Sequence, residues 1–225
     1  MPRDIPVSNG NFLVTFDATY QMRDVYFPHI GDENHTQGYP CRFGVWVDKK
    51  LSWVSDPDWT RQISYVEESL VSRVECTNTS LGIKLICNDV IDFNENIYIR
   101  RIVVHNLSDR ERPIRVYFHN DFRISESDVG DTAYYDPETV AMVHYKGNRY
   151  FLASASVDRR RAMGHRFPVR EKALSAGRAA PPNGGERRPA LSSVRQLSVR
   201  LPQPDGDAVR LAVAEPRASV GPTKG

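Results

Sequence analysis

Leu70-Val71-Ser72-Arg73-Val74-Glu75-Cys76, a polar Asn78-Thr79-Ser80 break, then Ile83-Lys84-Leu85-Ile86-Cys87: side chains alternate at period 2 on both sides of a turn. Successive side chains of a strand point to opposite faces, so this pattern predicts two adjacent strands with one apolar face. The same alternation recurs in Phe12–Val14–Phe16, Phe43–Val45–Val47 and Ile114–Val116–Phe118, the last backed by Arg115, Tyr117, His119 and Asp121. Val140–Met142–His144 and Tyr150–Leu152 add a further pair. Turn residues separate these runs at Asn9-Gly10, Gly31-Asp32, Ser55-Asp56-Pro57, Asn106 to Arg112 and Gly147-Asn148. No stretch of ten residues carries a 3.6-residue apolar period. Many strands with one apolar face predict an all-β fold, a large antiparallel β-sandwich.

The chain divides by composition. Residues 1–154 hold 16 Lys and Arg against 22 Asp and Glu, a balance of −6, whereas residues 155–225 hold 14 against 6, a balance of +8. An acidic body is poor electrostatics for nucleic acid, so Arg100 and Arg101 are expected to pair with carboxylates across a sheet. Segment 155–225 has one aromatic residue, Phe167, no isoleucine, and runs such as Arg159-Arg160-Arg161. Apart from short strands near Val194–Leu201 or Val209–Val213, it is expected to be a basic disordered tail. Its residues are those of GC-rich codons, which also predicts translation out of frame. The domains are therefore 1–154 as the β unit and 155–225 as the tail.

The N-terminus lacks an apolar secretory region and no stretch approaches a membrane span, so a cytoplasmic protein is expected. Cys41, Cys76 and Cys87 are read as reduced thiols. A tight turn at Asn78–Leu81 sets Cys76 opposite Ile83, which predicts no disulfide to Cys87. No P-loop, Gly-x-Ser-x-Gly or Gly-x-Gly-x-x-Gly motif occurs, and no cofactor is implied.

Two carboxyl groups set on either side of a bond can act as general acid and general base. The body has clusters at Asp89, Asp92 and Glu95 and at Glu126, Asp128, Asp131 and Asp136. Acidic residues at strand ends and turns also serve local Asx-type hydrogen bonds. Asp128 and Asp131 are the candidate ligands for a hard cation. Among the aromatics near loops and strand ends, Trp53, Trp59, Tyr134 and Tyr135 are the candidate carbohydrate contacts, because flat rings stack on sugar faces. The same residues also serve as core with a satisfied polar tip.

Several stretches in order resemble one family: Pro2-Arg3-Asp4-Ile5-Pro6-Val7, Leu13-Val14-Thr15-Phe16-Asp17, Asp24-Val25-Tyr26-Phe27-Pro28-His29 and Arg42-Phe43-Gly44-Val45-Trp46. Asn88-Asp89-Val90-Ile91-Asp92-Phe93, residues 128–137 and Gly147-Asn148-Arg149-Tyr150-Phe151-Leu152 complete the set. Together they resemble the N-terminal domain of prokaryotic glycoside hydrolase family 15, the glucoamylase, glucodextranase and trehalase-like group. The resemblance covers roughly residues 1–153. It implies a supersandwich packed on a helical α/α barrel that carries both catalytic glutamates of an inverting mechanism. The barrel has no counterpart in this sequence, so no catalytic residue is assigned here. The expected function is a scaffold domain of an enzyme that meets α-glucan or trehalose through its barrel, inactive alone. The alternative is a stand-alone carbohydrate-binding sandwich.

Overall fold

A computed structural model describes residues 5–137, 139–157, 193–201 and 207–214. Its strands are β1 (Ile5–Ser8), β2 (Leu13–Phe16), β3 (Met22–Tyr26), β4 (Arg42–Val47), β5 (Lys50–Trp53), β6 (Thr60–Tyr65), β7 (Ser72–Asn78) and β8 (Ile83–Ile91). They continue with β9 (Ile97–Asn106), β10 (Arg112–Asn120), β11 (Thr132–Asp136), β12 (Ala141–Lys146), β13 (Arg149–Val157), β14 (Ser193–Leu201) and β15 (Asp207–Ala214). One 3-10 turn, Ile124–Glu126, is the sole helical element among the described residues. No helix there is long and apolar enough to cross a membrane.

The strands form three sheets, ordered β1-β2-β3, β14-β10-β4-β5 and β11-β12-β13-β15-β9-β8-β7-β6. The pairings are antiparallel. The fold is the all-β sandwich that the alternation predicts. On β8, Ile83, Leu85 and Cys87 are fully buried while Lys84 and Ile86 are not. Phe16 of β2 meets Tyr98 of β9 at a ring-centre distance of 6.4 Å, and Phe43 of β4 stacks on Phe118 of β10 at 6.1 Å. Each fully buried Ile, Leu or Phe contributes about 1.5–3 kcal/mol.

Two expectations along the opening stretch are corrected. Asn78 pairs with Ile83, Cys76 with Leu85 and Val74 with Cys87, so Cys76 does not face Ile83. Asn78 itself stays in the ladder, its Oδ1 accepts the Leu81 amide at 2.9 Å, and Gly82 turns the chain at φ 60°. The three cysteines are buried and free. Leu70, read as the first apolar strand position, lies in the β6–β7 turn and is 70% exposed.

The two stretches of the basic segment with strand character form β14 and β15. β15 lies between β13 and β9, with Val209, Leu211 and Val213 at positions paired with Ile102, Arg100 and Tyr98. The expected disorder and out-of-frame origin of the rest of 155–225 fall mainly on residues outside those described.

Gly44 sits mid-strand on β4 for lack of space. A Cβ there would lie 2.6 Å from the Ser52 carbonyl oxygen and 2.9 Å from Trp53 Cε3. Gly44→Ala is expected to destabilise the protein by about 1–3 kcal/mol through overpacking. Urea unfolding measures this, and an unchanged midpoint would show that β5 yields freely.

Candidate functional site

The inward row of β8 continues from Cys87 to Asp89, placing a carboxylate in the core. Asp89 is fully buried. It accepts hydrogen bonds from Tyr20 Oη at 2.5 Å, Ser72 Oγ at 2.7 Å, Arg100 Nε at 2.6 Å and Tyr98 Oη. Register places Asp89 opposite Arg100, which answers the expected cross-sheet pairing for Arg100. Arg101 lies on the other face, exposed. Burial pushes the Tyr20 and Tyr98 phenols well up, with the Asp89 charge adding to the effect and Arg100 opposing it. Burial works against the Arg100 charge, but Asp89 and the two phenols more than offset it and raise its pKa.

Asp92 leaves this site. Its Oδ1 accepts the Asn94 and Glu95 amides, both at 2.9 Å, as the cap of the β8–β9 turn. Of the three acidic residues clustered in sequence, Asp89 is thus a core carboxylate and Asp92 a turn cap. Neither offers a carboxyl pair around an open space.

The candidate sugar contacts separate. Trp59 is a correction: it is 2% exposed, and its Nε1–H donates to Ser52 Oγ at 2.8 Å. The Asp56-Pro57-Asp58 turn folds it inward as core with a satisfied polar tip. Tyr134 and Tyr135 point to opposite faces of β11. Tyr134 is 44% exposed, whereas Tyr135 is half-buried and pairs with Met142, a residue packed on the core. Trp53 is half-buried on the other sheet, with Arg42 Cζ 4.6 Å over its ring and His119 edge-on at 6.1 Å.

Sequence reasoning missed the neighbours of these rings. Tyr145 packs edge-on to Tyr134 at 6.0 Å and stacks with Tyr150 at 5.6 Å. The two-residue Gly147-Asn148 turn sets Tyr145 opposite Tyr150, so counting back from it would have found the pair. On the outer face of β4 and β10, Arg115 Cζ lies 4.4 Å over the Trp46 ring.

Asp128 and Asp131 do come together, beside a cavity of ≈ 30 Å³ lined also by Phe122, Arg123, Thr132 and His144. At about 10–15 Å³ per water, that volume suits a water or two and no sugar ring. Lys146 Nζ lies 3.8 Å from Asp131 Oδ1 and donates to the Ile124 and Ser127 carbonyls at 2.8 and 2.9 Å. Burial raises the Asp131 carboxyl, with Lys146 opposing, and burial pushes His144 down to about 4. Among the described residues no group of three or more His, Cys, Asp or Glu converges as a metal site. Asp128 and Asp131, the candidate cation ligands, thus lie together beside Lys146 with no third such ligand among the described residues.

No protein-family model matches the chain. An uncharacterized glycosyl hydrolase of Methanocaldococcus jannaschii is 26% identical over 145 residues, 64% of this chain and 23% of that protein. A bacterial glucoamylase, solved in complex with acarbose, superposes with a TM-score of 0.63 at 13% identity, over 96% of this chain and 32% of that one. The chain thus has a glucoamylase-like fold and spans less than a third of either protein.

Asp89→Asn is expected to cost about 3–5 kcal/mol, because it leaves the Arg100 charge buried without its partner. Asp89→Leu with Arg100→Met should cost less than the sum of the two single changes. Denaturant titration of the set tests this; strict additivity would mean that the pair does not act as a unit.

Proposed function

We propose that this chain is the non-catalytic β-sandwich domain of a glycoside hydrolase of the family 15 type, acting on α-glucosidic bonds of a glucan or trehalose. The glucoamylase-like fold, matched over nearly the whole chain, carries this reading. The disposition of its carboxylates supports it. Asp89 is enclosed by four donors, and Asp128 and Asp131 flank a cavity too small for a sugar. Inverting hydrolysis needs two carboxyls about 6.5–9.5 Å apart around a substrate and a water. In this proposal both belong to an α/α barrel against which the sandwich packs, and the protein is cytoplasmic, in keeping with its free thiols.

The purified chain is expected to release no glucose from maltose, maltodextrin or trehalose. Turnover that disappears in Asp131→Asn would overturn the scaffold reading.

A second reading, a carbohydrate-binding surface, is favoured by the outer face of β4, β5 and β10. Register places Trp46, Trp53, Tyr117, Arg42 and Arg115 on that one face. It predicts saturable binding of maltoheptaose by calorimetry, weakened at least tenfold by Trp53→Ala. Absence of binding heat at millimolar ligand would leave the face to scaffolding.

A further inference from the structure

The described residues contain one buried histidine whose proton position is fixed by both of its neighbours. His35 Nε2 lies 2.7 Å from the Phe27 carbonyl oxygen, which can only accept, so Nε2 carries the proton. Its Nδ1 lies 3.1 Å from the Ser125 backbone nitrogen, which can only donate, so Nδ1 is bare. The His35 carbonyl also accepts the Arg123 amide at 2.7 Å. One residue therefore holds both the approach to the 3-10 turn and the turn itself. The turn needs holding: Ser125 and Glu126 have φ of 52° and 59°, left-handed values that non-glycine residues adopt at a cost.

The contact extends through a row of rings. His35 packs on Phe151 at 4.8 Å, Phe151 stacks on Phe122 at 5.0 Å, and Phe122 meets His144 at 5.0 Å. Two buried imidazoles thus flank the stacked phenyl pair that fastens residues 121–131 to β12 and β13. The charged groups around them are few. Glu33 Oε2 lies 3.9 Å from His35 Nε2, and that carboxylate is already engaged by Arg149 at 2.9 Å and Ser125 Oγ at 3.1 Å. Glu126 faces His35 from the turn and Arg149 from β13. Around His144 stand Asp128, Asp131 and Arg123, which line the same cavity, and Lys146 on its own strand.

We propose that residues 121–131 form an acid-released latch. A proton added at His35 Nδ1 points an N–H at the Ser125 N–H, the hydrogen bond is lost, and the turn with its flanking loop leaves β12 and β13 while the sheets stay folded. Burial lowers both imidazole pKa values, that of His144 to about 4. A group whose pKa is lower in the folded state holds its full contribution above the unfolded value, about 6.5 for histidine, and loses it as pH falls towards the folded value. Release therefore begins below pH of about 6.5, and each imidazole steepens opening by up to about tenfold per pH unit.

Amide hydrogen exchange of the full chain between pH 7.5 and 4.5 tests this. Protection factors at 123–131 should fall by about tenfold from pH 6 to pH 5 while those of β8 and β9 hold. His35→Gln keeps one acceptor and one donor without a titrating ring, and should flatten that response. Loss that persists undiminished in His35→Gln would assign it to His144 or the carboxylates and overturn the proposal. Should that variant fail to fold, the His35 ring of the native chain decides by NMR. A midpoint near 6.5, with no change at the Ser125 amide, would overturn it equally.

Discussion

The buried pair of Asp89 and Arg100 is the interaction on which the two layers depend. Asp89 draws in Ser72 of β7, Tyr98 of β9 and Tyr20 from the β2–β3 connection. The Arg100 guanidinium lies 4.7 Å from the Tyr20 and Phe43 rings and 5.1 Å from the Phe16 ring. One ion pair thus touches side chains from both sides of the sandwich. Its net contribution to stability need not be large, because desolvating two charges offsets much of their attraction. Its geometric demand is strict. Slipping β8 by one residue against β9 would turn Asp89 out of the core and leave Arg100 among rings with no counter-charge.

The other carboxylates of the described residues sit differently from Asp89. The carboxylate with the most partners is the one farthest from water. Three acidic groups nearer the surface are tied to lysine or arginine: Asp48 with Arg110 and Arg112, Glu75 with Arg73 and Lys84, and Glu33 with Arg149. Each of these pairs fixes a loop or a register.

Much of this was legible in the sequence, because period-2 alternation is a direct record of burial. Asp89 falls in phase with Ile83, Leu85, Cys87 and Ile91, and Arg100 in phase with Tyr98 and Ile102. A charge in an apolar phase on each of two neighbouring runs is the signature of a buried pair. The reading failed where the backbone leaves the ladder. Leu70 keeps the phase of β7 but sits in a turn, and Trp59 belongs to no alternating run, so its burial follows from the turn before it. The partition of Tyr134 and Tyr135 was readable in principle, since adjacent residues on a strand cannot share a face.

Two indole rings on the outside of β4 and β5 pack under arginines. Trp53 covers Gly44 because β4 offers it no Cβ, and Arg42 then lies over the indole. Arg115 on Trp46 repeats the arrangement one strand away. A stacked guanidinium keeps its N–H edges free to bond outward while its face is spent on the ring. The core is closed without these groups. Their order is therefore a property of the surface, where hydrogen-bond donors are held in fixed directions over an apolar base.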